Sequence, residues 1–255
     1  MGGQLSTTTQ FYLHGRSHFT RTGYELHKKT YANYKIVPDI LEVTNLHDKN
    51  FMVTGANAGI GKEVTTFLVS KGATVHMVCR NESKAMESKK LIAEKVGPGS
   101  EERMHVLICD CSLEADIRSM WGRFIEDQKR PQSVESDAFV PKLDGLICNA
   151  GALQNTRTLT KEGLEVTFAA HLLFGTYLLG TLALPVLAAN QGRLIIVSSG
   201  GMLNTKFPAW HAATSTGPSV AKYDGQLAYA YAKRGQVLLL APPSCASHSL
   251  YSKLC

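Results

Sequence analysis

The sequence predicts an α/β protein built on a doubly wound parallel sheet. Near-continuous apolar runs of strand length alternate with segments of helical period, the pattern of strands covered on both faces. A glycine-rich loop stands where the first of these runs hands over to a helix. The 255 residues, 44% of them hydrophobic, suffice for one substantial core, which excludes a collagenous or wholly disordered chain.

Residues 1–49 carry scattered aromatic and basic side chains without a long period, include Pro38 and end on the polar NLHDKN, so they are expected to form an N-terminal arm. From Asn50 the pattern turns regular. FMVTG (51–55) reads as the first strand, EVTTFLVSKG as a helix and ATVHMVCR (73–80) as the second strand, one β-α-β unit. A charged helix over 82–96 breaks at Gly97-Pro98-Gly99, and MHVLICD (104–110) is the third strand. A helix over 113–128 and a polar loop lead to LDGLICNAG (143–151), the fourth strand. Residues 161–189 are largely helical, GRLIIVSSG (192–200) is the fifth strand, and a last helix runs to Leu240, where Ala241-Pro242-Pro243 stops it. The domain is therefore 50–240, with 241–255 an atypical tail.

The net charge of +6 is spread along the chain and gives no indication of nucleic acid. The six cysteines, at 79, 109, 111, 148, 245 and 255, lack the paired spacing of a closed zinc site, and no metal is expected. They read as reduced thiols, which points to a cytoplasmic or cytosol-facing location; the sequon at Asn81 is discounted accordingly. The uncharged stretch 172–189 approaches the roughly 20 residues that span a bilayer, but Gly175, Gly180 and Pro185 interrupt it, and a helix buried in the core or at a subunit contact is expected. Met1-Gly2-Gly3-Gln4-Leu5-Ser6 fits the N-myristoylation pattern at Gly2, and one acyl chain holds a membrane only with help from basic residues such as Arg16, Arg21, Lys28 and Lys29. Ser252-Lys253-Leu254 is not terminal and is rejected as a peroxisomal address.

The loop Thr54-Gly55-Ala56-Asn57-Ala58-Gly59-Ile60-Gly61 has the features of a dinucleotide-phosphate site. Gly55 permits the tight turn, Gly59 lets backbone approach a pyrophosphate, Gly61 lets the helix pack closely, and the helix N-terminus offers free N–H groups. At the end of the second strand Arg80 stands where an acidic residue would bond the ribose 2′-OH of NAD(H); a guanidinium suits a 2′-phosphate, so NADP(H) is preferred, with NAD(H) the alternative.

The TGxxxGIG spacing, Asn149-Ala150-Gly151 after the fourth strand, Ser198-Ser199 after the fifth and the YxxxK of Tyr229 and Lys233 resemble, in order, the motifs of the short-chain dehydrogenase/reductase family. FTRTGYE (19–25), VSSGGML and the spacing to AYAYAK resemble more narrowly its member 12 group. The resemblance implies a Rossmann fold and NAD(P)-dependent oxidation and reduction of a carbonyl or alcohol substrate. It also implies that Asp110 contacts adenine with Cys111 beside it offering backbone, and that Asn149 and Ala150 lie near the adenosine ribose.

Reduction of a carbonyl needs a proton donor for the developing alkoxide, and a phenol serves when a cation favours its anionic form. Four residues apart on a helix, Tyr229 and Lys233 share one face. Tyr231 competes for the role but lies only two residues before Lys233, on another face; Ser198 competes with Ser199, and the family pattern turns the second serine toward the substrate, to polarise its carbonyl. The family's fourth catalytic residue, an Asn, is replaced by His171, which either holds a water in a proton relay or breaks that relay. The segment between Ser199 and Tyr229 is long for the family, with Trp210, His211, Gly217 and Pro218, and is expected to loop over the substrate side. A complete member adds a sixth strand with a Pro-Gly turn, a substrate-binding helical segment and a seventh strand, which this chain lacks. Three readings follow: an NADP(H)-dependent reductase or dehydrogenase, a truncated noncatalytic dinucleotide-binding variant, and a non-functional splice or gene-model product. A homodimer through the apolar helix is expected.

Overall fold

The structure, a computed structural model, describes residues 7–30, 40–129, 139–207 and 223–240. Gly2, the segment with Trp210, His211, Gly217 and Pro218, and the tail 241–255 lie outside the described residues.

Five strands, β1 (Asn50–Thr54), β2 (Thr74–Cys79), β3 (Met104–Ile108), β4 (Gly145–Cys148) and β5 (Arg193–Ile196), form one sheet in the order β3-β2-β1-β4-β5. Every pairing is parallel, as the two-sided apolar runs predict. The chain winds outward from β1 through β2 to β3, then returns to β4 on the other side of β1. That reversal leaves a crevice beyond the carboxyl ends of β1 and β4, where ligands of such sheets bind.

The alternation of side chains along each strand divides the core into two. Met52 and Val53, neighbours on β1 and both fully buried, point to opposite faces. Met52 joins Leu107, Ile117, Phe124, Leu146 and Leu187 under α6 (Glu114–Lys129) and the long apolar helix. Val53 joins Val69, Val75, Met77, Ile92 and Ile147 under α4 (Gly59–Ser70) and α5 (Glu82–Val96). Each such fully buried aliphatic side chain contributes about 1.5–3 kcal/mol.

Local chemistry sets the ends of these elements. The Asn81 carboxamide accepts the Lys84 N–H at 2.9 Å to open α5, and Gly97 closes it at φ 109°. Asp144, just before β4, takes the Lys49 ammonium and the Asn50 N–H, both at 2.8 Å, and so aligns the entries of β1 and β4.

The helix after β4 begins at Val166, five residues later than the pattern suggests, with Glu165 accepting the Thr167 and Phe168 N–H groups at its start. After α7 (Val166–Phe168) it widens into a π-helical run, Ala169–Leu178, then continues as α8 (Leu179–Ala189). The combined helix is long and apolar enough to cross a membrane, and its residues Ala169, Phe174, Leu179, Ala183 and Leu187 lie in the main core.

β5 is an edge strand of this sheet, with Ile195 exposed by 45%. The final described helix, α9 (Gly225–Leu240), packs on the π run; a Cβ on Gly235 would meet Leu172 at 2.4 Å and Phe207 at 2.8 Å. The arm holds short helices that the weak period did not announce, α1 (Thr7–His18), α2 (Arg21–His27) and α3 (Ile40–Val43). Phe19 lays its ring on Gly200, where a Cβ would stand 2.6 Å from Cε2.

Two buried histidines make the fold acid-sensitive. Burial, with His105 adding to it, pulls His76 down to about 3, and burial with the Lys233 charge pulls His171 down to about 4. Below the ordinary value of 6.5 the unfolded imidazoles bind protons while the folded ones stay neutral, so stability falls with pH. The expected loss between pH 6.5 and 4 is about 1.4 kcal/mol per pH unit for each histidine. Urea unfolding across that window measures it, and His76→Leu should make the slope shallower.

Candidate active site

The glycine loop is tied to the fourth strand through Thr54. Its buried Oγ1 accepts the N–H groups of Asn149 and Ala150, both at 2.9 Å, so the ends of β1 and β4 are held side by side. Gly55 sits at φ 68°, and a Cβ there would stand 3.0 Å from Ala150 Cα. Gly61 meets the loop itself: a Cβ would lie 2.2 Å from the Gly55 carbonyl oxygen. Gly59, at φ 51°, faces open space, which is the approach a pyrophosphate needs above the first turn of α4. Ala58 caps that turn in an extended conformation, and the Ile60 side chain is largely exposed, so both contribute backbone.

The crevice at the switch point is lined by Gly55, Asn57, Arg80, Asp110, Cys111, Ala150, Gly151 and His171, all singled out from the sequence, and also by Val78, Cys109, Ser112, Ala152, Gln154, Val166, Thr167 and Ala170. The exposed Arg80 guanidinium stands 3.9 Å from Asp110 Oδ2 at the rim. Asp110 Oδ1 accepts both the N–H and the hydroxyl of Ser112. Asn149 does not line the crevice; its Nδ2 donates to the Thr54 carbonyl at 2.9 Å, a supporting role. Open space at Gly59 above the N-terminus of α4 fits the pyrophosphate of a dinucleotide. The thiols nearby are neutral: the Cys109 hydrogen bond and burial hold Cys111 well above its ordinary value, and burial pushes Cys148 up to about 12 against the opposing charge of Lys233.

Beyond the inner end of the crevice, α9 presents Tyr229 and Lys233. Lys233 is 3% exposed and donates its ammonium to the Val197 carbonyl at 2.7 Å, with Nζ 5.6 Å from the centre of the Tyr229 ring. Burial lowers Lys233 to about 8, partly offset by Cys148. The His171 ring stands edge-on to Tyr229 at 5.2 Å. These two ring contacts belong to Tyr229, not Tyr231. His171 Nε2 lies 3.0 Å from the Ala152 N–H nitrogen and 3.1 Å from its carbonyl oxygen, while Nδ1 is buried with no hydrogen-bond partner among the described residues. Gly151 makes room for the imidazole, since a Cβ there would fall 2.1 Å from Cε1.

The two serines separate. Ser198 donates its hydroxyl to the Lys233 carbonyl at 2.9 Å, fastening α9 to the end of β5. Ser199 caps the 3-10 turn Gly200–Asn204, its Oγ accepting the Gly201 N–H at 3.3 Å; no hydrogen bond among the described residues joins it to Tyr229.

Three contributors were not singled out from the sequence. Gln236, one turn beyond Lys233 and 1% exposed, donates to the His171 carbonyl at 2.7 Å and to Thr176 Oγ1 at 2.9 Å. Thr176 donates to the same carbonyl at 2.6 Å, across the i to i+5 interval that widens the helix here. Tyr223 donates to Glu165 at 3.1 Å and anchors the approach to α9. The spacing of YxxxK extends to Gln236 on the same helix face, which is the one signal available for it.

The chain matches the short chain dehydrogenase family over residues 49–247. It is 37% identical over 236 residues to Dehydrogenase/reductase SDR family member 12 of Bos taurus and 36% identical over 236 residues to the Homo sapiens protein of that name. Each alignment covers 92% of this chain and 66% of the relative, so the chain spans slightly less than two thirds of the length of these relatives. A solved short-chain dehydrogenase candidate from Escherichia coli CFT073, complexed with NADPH, shares the fold at 22% identity and a TM-score of 0.54, covering 79% of this chain and 72% of its own. The family match runs over most of the sequence, from the strand before the glycine loop to beyond the helix of Tyr229 and Lys233, and the chain belongs to the short-chain dehydrogenase family.

Proposed function

We propose that this chain is an NADP(H)-dependent oxidoreductase that interconverts a carbonyl and an alcohol. The observation that carries the reading is the contact of Tyr229 with both Lys233 and His171, where His171 belongs to the lining of the crevice that also carries Arg80. Gly55, Asn57, Ala58, Gly59, Ile60 and Gly61 would hold the pyrophosphate, Arg80 the 2′-phosphate, and Asp110, Cys111, Ala150 and Gly151 the adenosine side, with Asn149 bracing the loop through the Thr54 carbonyl. When bound, NADPH supplies the hydride that reaches the carbonyl carbon.

The chain's own residues handle the proton. Tyr229 gives its phenolic proton to the oxygen that becomes the alcohol, and Lys233, buried beside it, stabilises the phenolate left behind. Ser199 donates a hydrogen bond to the substrate oxygen as negative charge grows on it. His171 is neutral at pH 7, because burial and Lys233 hold it near 4, so it serves as a hydrogen-bonding group without a charge of its own. The buried thiols accord with a cytosol-facing chain. The exposed side of the long apolar helix, around Tyr177, is our candidate homodimer contact.

Cofactor choice is tested at Arg80. Arg80→Asp removes the cation that would meet a 2′-phosphate and supplies an acceptor for a ribose 2′-OH. Fluorescence titration should show NADPH binding weakened by about 10- to 100-fold, the worth of a charge-assisted hydrogen bond, with NADH favoured over NADPH. An unchanged preference would remove Arg80 from this role.

A further inference from the structure

We infer that the helical arm, residues 7–30, forms a docking surface for an anionic lipid bilayer, independent of any acyl group at Gly2. The arm exposes large apolar and aromatic side chains: Tyr12 by 70%, Leu13 by 58%, Phe19 by 50%, Tyr24 by 47% and Leu26 by 56%. It also concentrates charge. Its four cations, Arg16, Arg21, Lys28 and Lys29, outnumber its one carboxylate, Glu25, which Lys28 already holds at 2.6 Å, so these 24 residues carry +3 of the chain's +6. Tyr12 and Arg16 stand four apart on one face of α1, with Leu13 beside Tyr12 and Phe19 just past the end of the helix. Tyrosine and phenylalanine beside arginine and lysine are the composition that settles at a headgroup boundary, the rings at the interface and the cations on acidic lipid.

The arm is seated on the domain at one place that matters. Phe19 lies on Gly200, the residue after Ser199, and is itself half exposed. A bilayer meeting this surface would lie beside the Ser199 end of the site.

The test is flotation of the full chain, produced without an acylating enzyme, with vesicles of phosphatidylcholine alone and of equal parts phosphatidylcholine and phosphatidylserine. The chain should float with the second and not the first, and salt at about 1 M should release it. The triple variant Arg16→Ala, Arg21→Ala, Lys29→Ala should weaken binding by on the order of 100-fold, about fivefold per cation. Tyr12→Ala with Leu13→Ala, both exposed, should also weaken it while leaving the melting temperature unchanged. Equal flotation with both vesicles, flotation with neither, or wild-type binding by both folded variants would overturn the proposal.

Discussion

Tyr229→Phe is expected to cut NADPH-dependent carbonyl reduction by on the order of 10²- to 10⁴-fold, the contribution of a positioned proton donor. NADPH affinity should remain largely intact. The substitution deletes one oxygen and keeps the ring, so the edge-on contact with His171 at 5.2 Å and the approach of Lys233 survive. The loss should appear in kcat more than in KM, because the proton is needed as charge develops on the substrate oxygen. Steady-state rates with saturating NADPH give the answer, and unchanged rates would remove Tyr229 from its role.

Lys233→Met should separate function from stability. The ammonium is 3% exposed and burial lowers it to about 8, so at pH 7 it is held charged in a place that disfavours charge. A displacement from the ordinary 10.5 corresponds to about 3 kcal/mol, from which the lost bond to Val197 takes back about 1 kcal/mol. The variant should therefore be about 2 kcal/mol more stable than the parent at pH 7 and nearly inactive. The sign with pH is fixed. The folded lysine gives up its proton near 8 and the unfolded one near 10.5, so the parent gains stability as pH rises between them and the variant's advantage disappears. Chemical denaturation at pH 7 and at high pH, beside an activity assay, tests both halves.

The sheet was legible because parallel strands buried on both faces leave continuous apolar runs, and the reading of the charged helix as 82–96 coincides with α5. The loop was legible because Gly55, Gly59 and Gly61 each answer a separate backbone demand. The π run was not: i+4 and i+5 spacing look alike in a stretch that is apolar all round, and the polar contacts that accompany it, Thr176 and Gln236 converging on the His171 carbonyl, come from different helices. Local pattern could place Gln236 on the Tyr229–Lys233 face but not give it a role, since its partners lie 60 and 65 residues earlier. The arm helices escaped because polar and aromatic residues are mixed around them, which blurs a period. The distinction between Ser198 and Ser199 needed α9 in place, because it rests on where the Lys233 carbonyl lies.

In the proposed reaction this chain moves a hydride from NADPH to a carbonyl carbon with Tyr229 supplying the proton. The reaction is tested most directly by following NADPH absorbance in the presence of a panel of aldehydes, ketones and retinoids, with Tyr229→Phe measured in parallel. NADPH consumption should depend on a carbonyl compound and be lost in the variant. Tight NADPH binding with no carbonyl-dependent consumption by the parent chain would contradict it.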